Sequence, residues 1–208
     1  MIRISYAVTV CNEFEESMAL LNQLLAYKGK DAEVVVLLDT PKAQPELLEF
    51  LEVLGSSDQI TLLKAEFQND FSQWKNTLNS YCKGEWIYQL DADEMLNPDI
   101  LVNMIDILNS NEDMDLIFVP RINIVNGLTE AHIKKWGWKV NEKGYVQFPD
   151  YQTRLYKNRP EIRWMNKVHE KITGFETYTN FPVDEMYCIK HVKEISRQEK
   201  QNDYYETL

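Results

Sequence analysis

The chain has 208 residues, 44% of them hydrophobic and 12% aromatic, with only 7 Gly and 7 Pro. This composition suits one substantial core and excludes disordered and fibrous classes. The formal net charge of −11 argues against bulk nucleic acid or an anionic membrane as main partner, since both reward a positive face.

Residues 2–10, IRISYAVTV, are β-rich. Acids follow them rather than a small-residue cleavage site, so they read as a first strand and not a signal peptide. Residues 12–28 form a helix with Met18, Leu21, Leu24 and Leu25 on one face. The continuous apolar run at 33–39, EVVVLLD, reads as a parallel strand covered on both sides. A helix over 45–55 has Pro45 at its start and Gly55 at its end. A third strand is expected at 59–65, and a helix over 70–84 with Asp70 as its cap. A fourth strand follows at 85–90, a helix at 98–110 and a strand at 115–125. This β-α-β succession implies a mainly parallel three-layer α/β/α sheet with right-handed crossovers.

From residue 126 the pattern loses its regularity. Short strand-like pieces are expected over 134–174, and a polar helical tail over 193–208. We divide the single domain into an α/β half, 1–125, and an extension with its tail, 126–208. Cys11, Cys82 and Cys188 are odd in number and widely spaced, as in reduced intracellular proteins. No apolar run approaches the ~20 residues of a membrane span, so no transmembrane segment is expected. The localisation expected is cytoplasmic, with peripheral attachment to the inner face of a membrane left open.

The chemistry concentrates in WIYQLDADEML, residues 86–96. Ligands of such sheets sit beyond the carboxyl ends of the strands, and Asp91-Ala92-Asp93 lies at one. On extended backbone the two carboxylates point the same way and suit a hard divalent cation. That cation would offset their repulsion and let an acidic protein bind a diphosphate. The alternative is a solvated acidic loop that caps a helix. An EF-hand is excluded, because Met95 and Leu96 stand where it needs an oxygen ligand and Gly. Neither GxGxxG nor GxxxxGK occurs. Asn12 and Glu13, Asp39, and Lys75-Asn76 follow the earlier strands, so polar groups converge on one edge.

The ordered set VTVCNE, VLLD, FSQWKNTL and GEWIYQLDADE is similar to the inverting family 2 glycosyltransferases with the GT-A fold. The likeness covers residues 3–96 closely and continues loosely through DYQTRLYKN and IRWMNKVHEKITG to about residue 174. It implies a GT-A-like nucleotide-diphospho-sugar transferase fold and a nucleotide-sugar donor, with UDP first. Asn12 and Glu13 would line the nucleotide pocket, and Asp39 would accept a hydrogen bond from the base. Lys75, where the family often has Arg, and Asn76 would lie near base and phosphates. Asp91 would contact ribose or metal, and Asp93 would be the principal ligand of Mn²⁺ or Mg²⁺.

Inversion needs a carboxylate base on the face opposite the leaving diphosphate. Asp150 is the nominee and Glu170 the competitor; for Asp150 the alternative is a turn residue after Pro149. His169 is placed as a late metal ligand, the alternative being a structural histidine, while His132 and His191 have no comparable context. Trp74 is assigned to the core, and Trp136 and Trp138 to an acceptor wall. The basic stretch 157–171 leaves the hydroxyl acceptor open among glycan, lipid-linked and other anionic molecules. Net charge weighs against a nucleic-acid acceptor, with modified DNA as an alternative. The rival readings are a metal-dependent phosphohydrolase and a non-catalytic nucleotide-sugar binder.

Overall fold

The computed structural model describes the backbone of residues 1–205 and the side chains of residues 1–200. Its centre is four parallel strands: β1 (Ile4–Val10), β2 (Ala32–Asp39), β3 (Thr61–Ala65) and β4 (Trp86–Asp91). β1, β2 and β4 are apolar runs covered on both faces, while β3 at the edge is part-exposed. The helices between them are α1 (Phe14–Tyr27), α2 (Pro45–Ser56) and α3 (Phe71–Asn79). Asp70 caps α3 as expected, its carboxylate accepting the Gln73 N–H at 2.9 Å. The helix ends at Asn79, short of the expected 84.

A short strand, β5 (Glu94–Met95), follows β4. The helix expected at 98–110 is broken at Asn103 into α4 (Pro98–Val102) and α5 (Met104–Ser110). Next come β6 (Leu116–Asn126), α6 (Glu130–Trp136), β7 (Val146–Lys157), β8 (Arg163–Met165), β9 (Lys171–Thr173), β10 (Tyr178–Asn180), β11 (Ile189–Glu194) and α7 (Ile195–Tyr205). The segment 134–174 thus holds a twelve-residue strand and part of a helix, not only short pieces. Thr129 caps α6 and Gly137 stops it at φ 64°, a left-handed turn that glycine adopts without strain. The expected helical tail is α7, and residues 206–208 of it lie outside the described residues.

The sheet order is β3-β2-β1-β4-β7-β6-β11-β5, with β10 beside β6. β7 runs antiparallel between β4 and β6, and β11 lies parallel to β6. The second half of the chain therefore enters the main sheet as well as covering its edge. Alternate residues of β1 and β2 face opposite layers, as a pleat dictates. Val8 and Val36 pack beneath α1, α2, α4 and α5 with Leu20, Leu51 and Leu108. Ala7 and Val35 pack on the other side with Leu78 of α3 and Trp164 and Ile172 of the β8–β9 hairpin. Full burial of each such side chain stabilises by about 1.5–3 kcal/mol. The result is the three-layer, mainly parallel α/β architecture that the sequence predicts.

Candidate active site

The carboxyl ends of β1, β2 and β4 share one edge, where Thr9 pairs with Asp91 and Val10 with Leu38. A cavity of about 630 Å³ opens there. Six carboxylates line it (Glu13, Asp39, Asp91, Asp93, Asp150, Glu170), and so do six cations (Lys42, Lys75, Arg121, Arg154, Lys193, Arg197). The acidic excess of the chain is absent here, where the lining charges balance.

Asp39 is 4% exposed at the end of β2. Its carboxylate accepts the Phe67 N–H at 3.1 Å and pairs with Lys42 at 3.4 Å. Phe67 packs on Phe71 and Trp74 at 4.7 and 5.6 Å between ring centres, giving this end of the cavity an aromatic flank.

Beyond Asp91 the charges alternate in a ladder whose centre, Arg154 and Glu94, is buried. Arg154 on β7 donates to Asp91 at 2.5 Å and to Glu94 at 2.7 Å. Arg121 on β6 donates to Glu94 at 3.0 Å and, through Nε and Nη2, to Asp150 Oδ2 at 3.0 and 2.8 Å. Asn123 and Gln152 add donors to Asp150 at 2.8 and 2.7 Å. Burial would push up the carboxyls of Asp91 and Asp150. Arg154 and Lys75 outweigh it at Asp91, and Arg121 and Asn123 at Asp150, so both lie below the usual carboxylate range.

Residues 92 and 93 form a turn rather than extended backbone. Both aspartates still line the cavity but meet different partners. Asp93 Oδ2 lies 3.3 Å from His191 Nε2 and 3.5 Å from Arg197 of α7. Burial raises the Asp93 carboxyl, and the His191 contact more than reverses this. Arg197 also donates to Glu13 at 2.7 Å and Glu16 at 3.1 Å, which ties α7 to the start of α1. The rest of the Glu13 carboxylate accepts the N–H groups of Cys11 and Asn12, both at 3.0 Å.

Lys75 is buried between Glu170, at 2.6 Å, and Asp91, at 3.9 Å, with its ammonium 4.5 Å from the Trp164 ring centre. Three expected site residues do not line the cavity. Asn12 is exposed outside it. Asn76 faces the hairpin, where its amide accepts the Trp164 N–H at 2.9 Å and donates to the Trp164 carbonyl at 2.8 Å. His169 is exposed on the β8–β9 loop at φ 54°, and the histidine beside Asp93 is His191. Of the tryptophans, Trp74, Trp138 and Trp164 line the cavity and Trp136 does not; Trp74 is therefore not wholly core. In the basic stretch, Arg159 is bound to Asp115 at 2.7 Å and Lys157 sits over Trp86 at 4.4 Å.

Sequence reading missed Arg121, Asn123, Arg154, His191 and Arg197. One local signal existed: Arg121 and Asn123 interrupt an apolar strand at period two in PRINIV. Arg154 likewise interrupts TRLY. All three cysteines are free, and among the described residues no helix is long and apolar enough to cross a membrane.

A β-α-β sheet whose fourth strand ends in paired aspartates, beside an inserted antiparallel strand, defines the GT-A class of fold. The chain belongs to glycosyl transferase family 2, whose family model matches residues 5–185. Its fold is similar to that of S. aureus TarS, residues 1–349. The complex of TarS with UDP aligns at 14% identity and a TM-score of 0.65, covering 91% of this chain and 60% of that one. The complex with UDP-GlcNAc aligns at 16% identity and a TM-score of 0.61, covering 92% and 58%. A TPR repeat-containing protein of Synechococcus elongatus is 24% identical over 165 residues, 79% of this chain and 35% of that protein. The uncharacterised protein y4gI of Sinorhizobium fredii is 29% identical over 101 residues, 47% and 11% of the two chains. The chain thus spans only part of the length of each relative.

Proposed function

We propose that this chain transfers a sugar from a nucleotide-sugar, with a UDP-sugar as first donor, to a hydroxyl acceptor with inversion. The observation that carries the reading is the placing of Asp39, Asp93 with His191, and Asp150 around one cavity at the strand ends. Family membership and a fold like that of TarS, which is solved with UDP and UDP-GlcNAc, support it.

The residues present fit Mn²⁺ or Mg²⁺. The 3.3 Å between Asp93 Oδ2 and His191 Nε2 is the spacing of two ligands that share one ion at about 2.1 Å each. Two protein ligands leave positions for phosphate oxygens, as such cations prefer. Bound there, the ion supplies Lewis acidity to the departing diphosphate. Asp39 accepts from the base. Lys193 and Arg197 place positive charge toward the phosphates. Asp150, ionised at neutral pH, takes the acceptor's proton as the new C–O bond forms and the diphosphate leaves. Glu170 is the competing candidate for that step, its Oε1 held by Lys75. Trp138 offers an apolar wall to the acceptor.

The test is thermal unfolding with UDP, GDP, CDP and dTDP, each with and without Mn²⁺. A ligand at 100 times its Kd adds about 2.7 kcal/mol. Stabilisation by one nucleotide, needing Mn²⁺ and lost in Asp93→Ala, is the expected result. Equal stabilisation without metal would hand the diphosphate to Lys193 and Arg197 alone. No stabilisation by any nucleotide would remove the donor site.

A further inference from the structure

Strands β7, β6 and β11 lie side by side, and their register fixes a row of polar groups. Arg121 pairs with Asp150 across β6 and β7, and Asn123 pairs with His191 across β6 and β11. The row is continuous. Asn123 Nδ2 lies 2.8 Å from Asp150 Oδ2, and Asn123 Oδ1 lies 2.8 Å from His191 Nδ1. His191 Nε2 then meets Asp93 at 3.3 Å.

The chemistry of the groups dictates which way each points. An ionised carboxylate only accepts, so the Asn123 amide must turn its NH₂ to Asp150. The Val146 carbonyl, 3.5 Å from the same nitrogen, is a second acceptor on that side. The amide oxygen therefore faces His191, and it can only accept. His191 Nδ1 must then carry a hydrogen and donate it. In the neutral ring this leaves the lone pair on Nε2, aimed at the Asp93 carboxylate. Two acceptors 3.3 Å apart repel unless a positive charge lies between them. A divalent cation is such a charge, and without one a proton on Nε2 fills the same place.

We propose that Asn123 is a positioning residue that couples the two ends of the site. One end of its amide reads the ionised Asp150, and the other fixes the tautomer and ring plane of His191 so that Nε2 presents its lone pair beside Asp93. This rests on the reading that Asp93 and His191 hold the donor's cation. Partners of a ligating imidazole's second nitrogen commonly set metal affinity by 10–100-fold. Here that partner is itself oriented by the carboxylate assigned to the acceptor.

Two measurements test the assignment. Nitrogen NMR of ¹⁵N-histidine-labelled wild type reads the tautomer with no substitution. We expect a protonated Nδ1 in His191, and a neutral ring protonated at Nε2 overturns the proposal. Mn²⁺ affinity with saturating UDP, read from the electron spin resonance of free Mn²⁺, is then compared among folded variants. Asn123→Ala should weaken it about 10–100-fold. Asn123→Asp keeps an oxygen for His191, and at 2.8 Å from Asp150 the new carboxyl must share a proton with it, so it should not weaken Mn²⁺. Equal weakening by both variants, or none by Asn123→Ala, overturns the positioning role. Absence of Mn²⁺ binding by wild type removes the cation reading instead, and the tautomer still decides whether Asn123 orients the ring.

Discussion

At the scale of single residues, the same side chain type serves chemistry or architecture according to what faces it. Asn76 sits one residue from Lys75, yet its amide closes a two-bond ring with the Trp164 backbone. Asn76→Ala leaves a partly buried N–H and C=O without partners, which costs about 1–3 kcal/mol. Urea unfolding should show that loss, while UDP affinity by calorimetry stays within about twofold. A drop in affinity with unchanged stability would return Asn76 to the nucleotide site. Asp150 makes the opposite case. Its carboxyl is depressed below the usual value, so sugar transfer that needs it ionised should persist as pH falls to about 4. Removing one donor with Gln152→Ala moves the carboxyl up, and the acid limb of the pH–rate profile should shift to higher pH. An acid limb unmoved in that variant would assign the base elsewhere.

At the scale of elements, legibility followed the range of the interactions. The strands and helices of residues 1–120 were readable because periods of 2 and 3.6 are local, and a strand buried on both faces is apolar throughout. The aspartates were readable because they end such a strand. β7 was not, since its two halves have different surroundings: Arg154, Leu155 and Tyr156 are buried in the sheet, while Gln147, Asp150, Gln152 and Thr153 in the part-exposed half border the cavity. The partners of the aspartates were equally hidden. Arg154 lies 63 residues from Asp91 and Arg197 lies 184 from Glu13, so only strand order and register bring them together. His169 drew attention through its VHE context, whereas His191 gained its place from pairing with β6. The β8–β9 hairpin carries a testable consequence. Gly174 stands at φ +87°, and a Cβ there would lie 1.8 Å from the Glu161 carbonyl oxygen. Gly174→Ala must displace the hairpin and with it the Glu170–Lys75 pair. We expect a loss of about 1–3 kcal/mol or more in stability, together with weaker nucleotide binding. Nucleotide affinity retained in a destabilised variant would separate the hairpin from the donor site.

At the scale of the whole molecule, two electrostatic effects oppose each other as pH changes. The net charge of −11 at pH 7 makes the compact state repel itself, and protonating exposed carboxylates relieves this. Against it stand Asp91, Asp93, Asp115 and Asp150, whose carboxyls are all lowered in the folded chain. A lowered carboxyl binds protons more readily unfolded than folded. Its contribution to stability is therefore complete above the unfolded value of about 3.9 and is lost as pH falls through the folded value. Carboxylates of ordinary pKa take up protons from about pH 5.5 downward, and the lowered ones only below about 4, so the two effects overlap only in part. The urea midpoint should stay nearly flat from pH 8 to about 6, rise slightly toward 5 and collapse below about 4. Salt distinguishes the two. At pH 7, raising NaCl from 10 mM to 150 mM shortens the screening length from about 30 Å to about 8 Å and should stabilise the chain. The ladder pairs its charges at contact distance around the buried Arg154 and Glu94, so salt should move the low-pH collapse less than the midpoint at pH 7. A midpoint that falls on adding salt at pH 7 would mean that attractive surface pairs, not net repulsion, dominate the electrostatics of this fold.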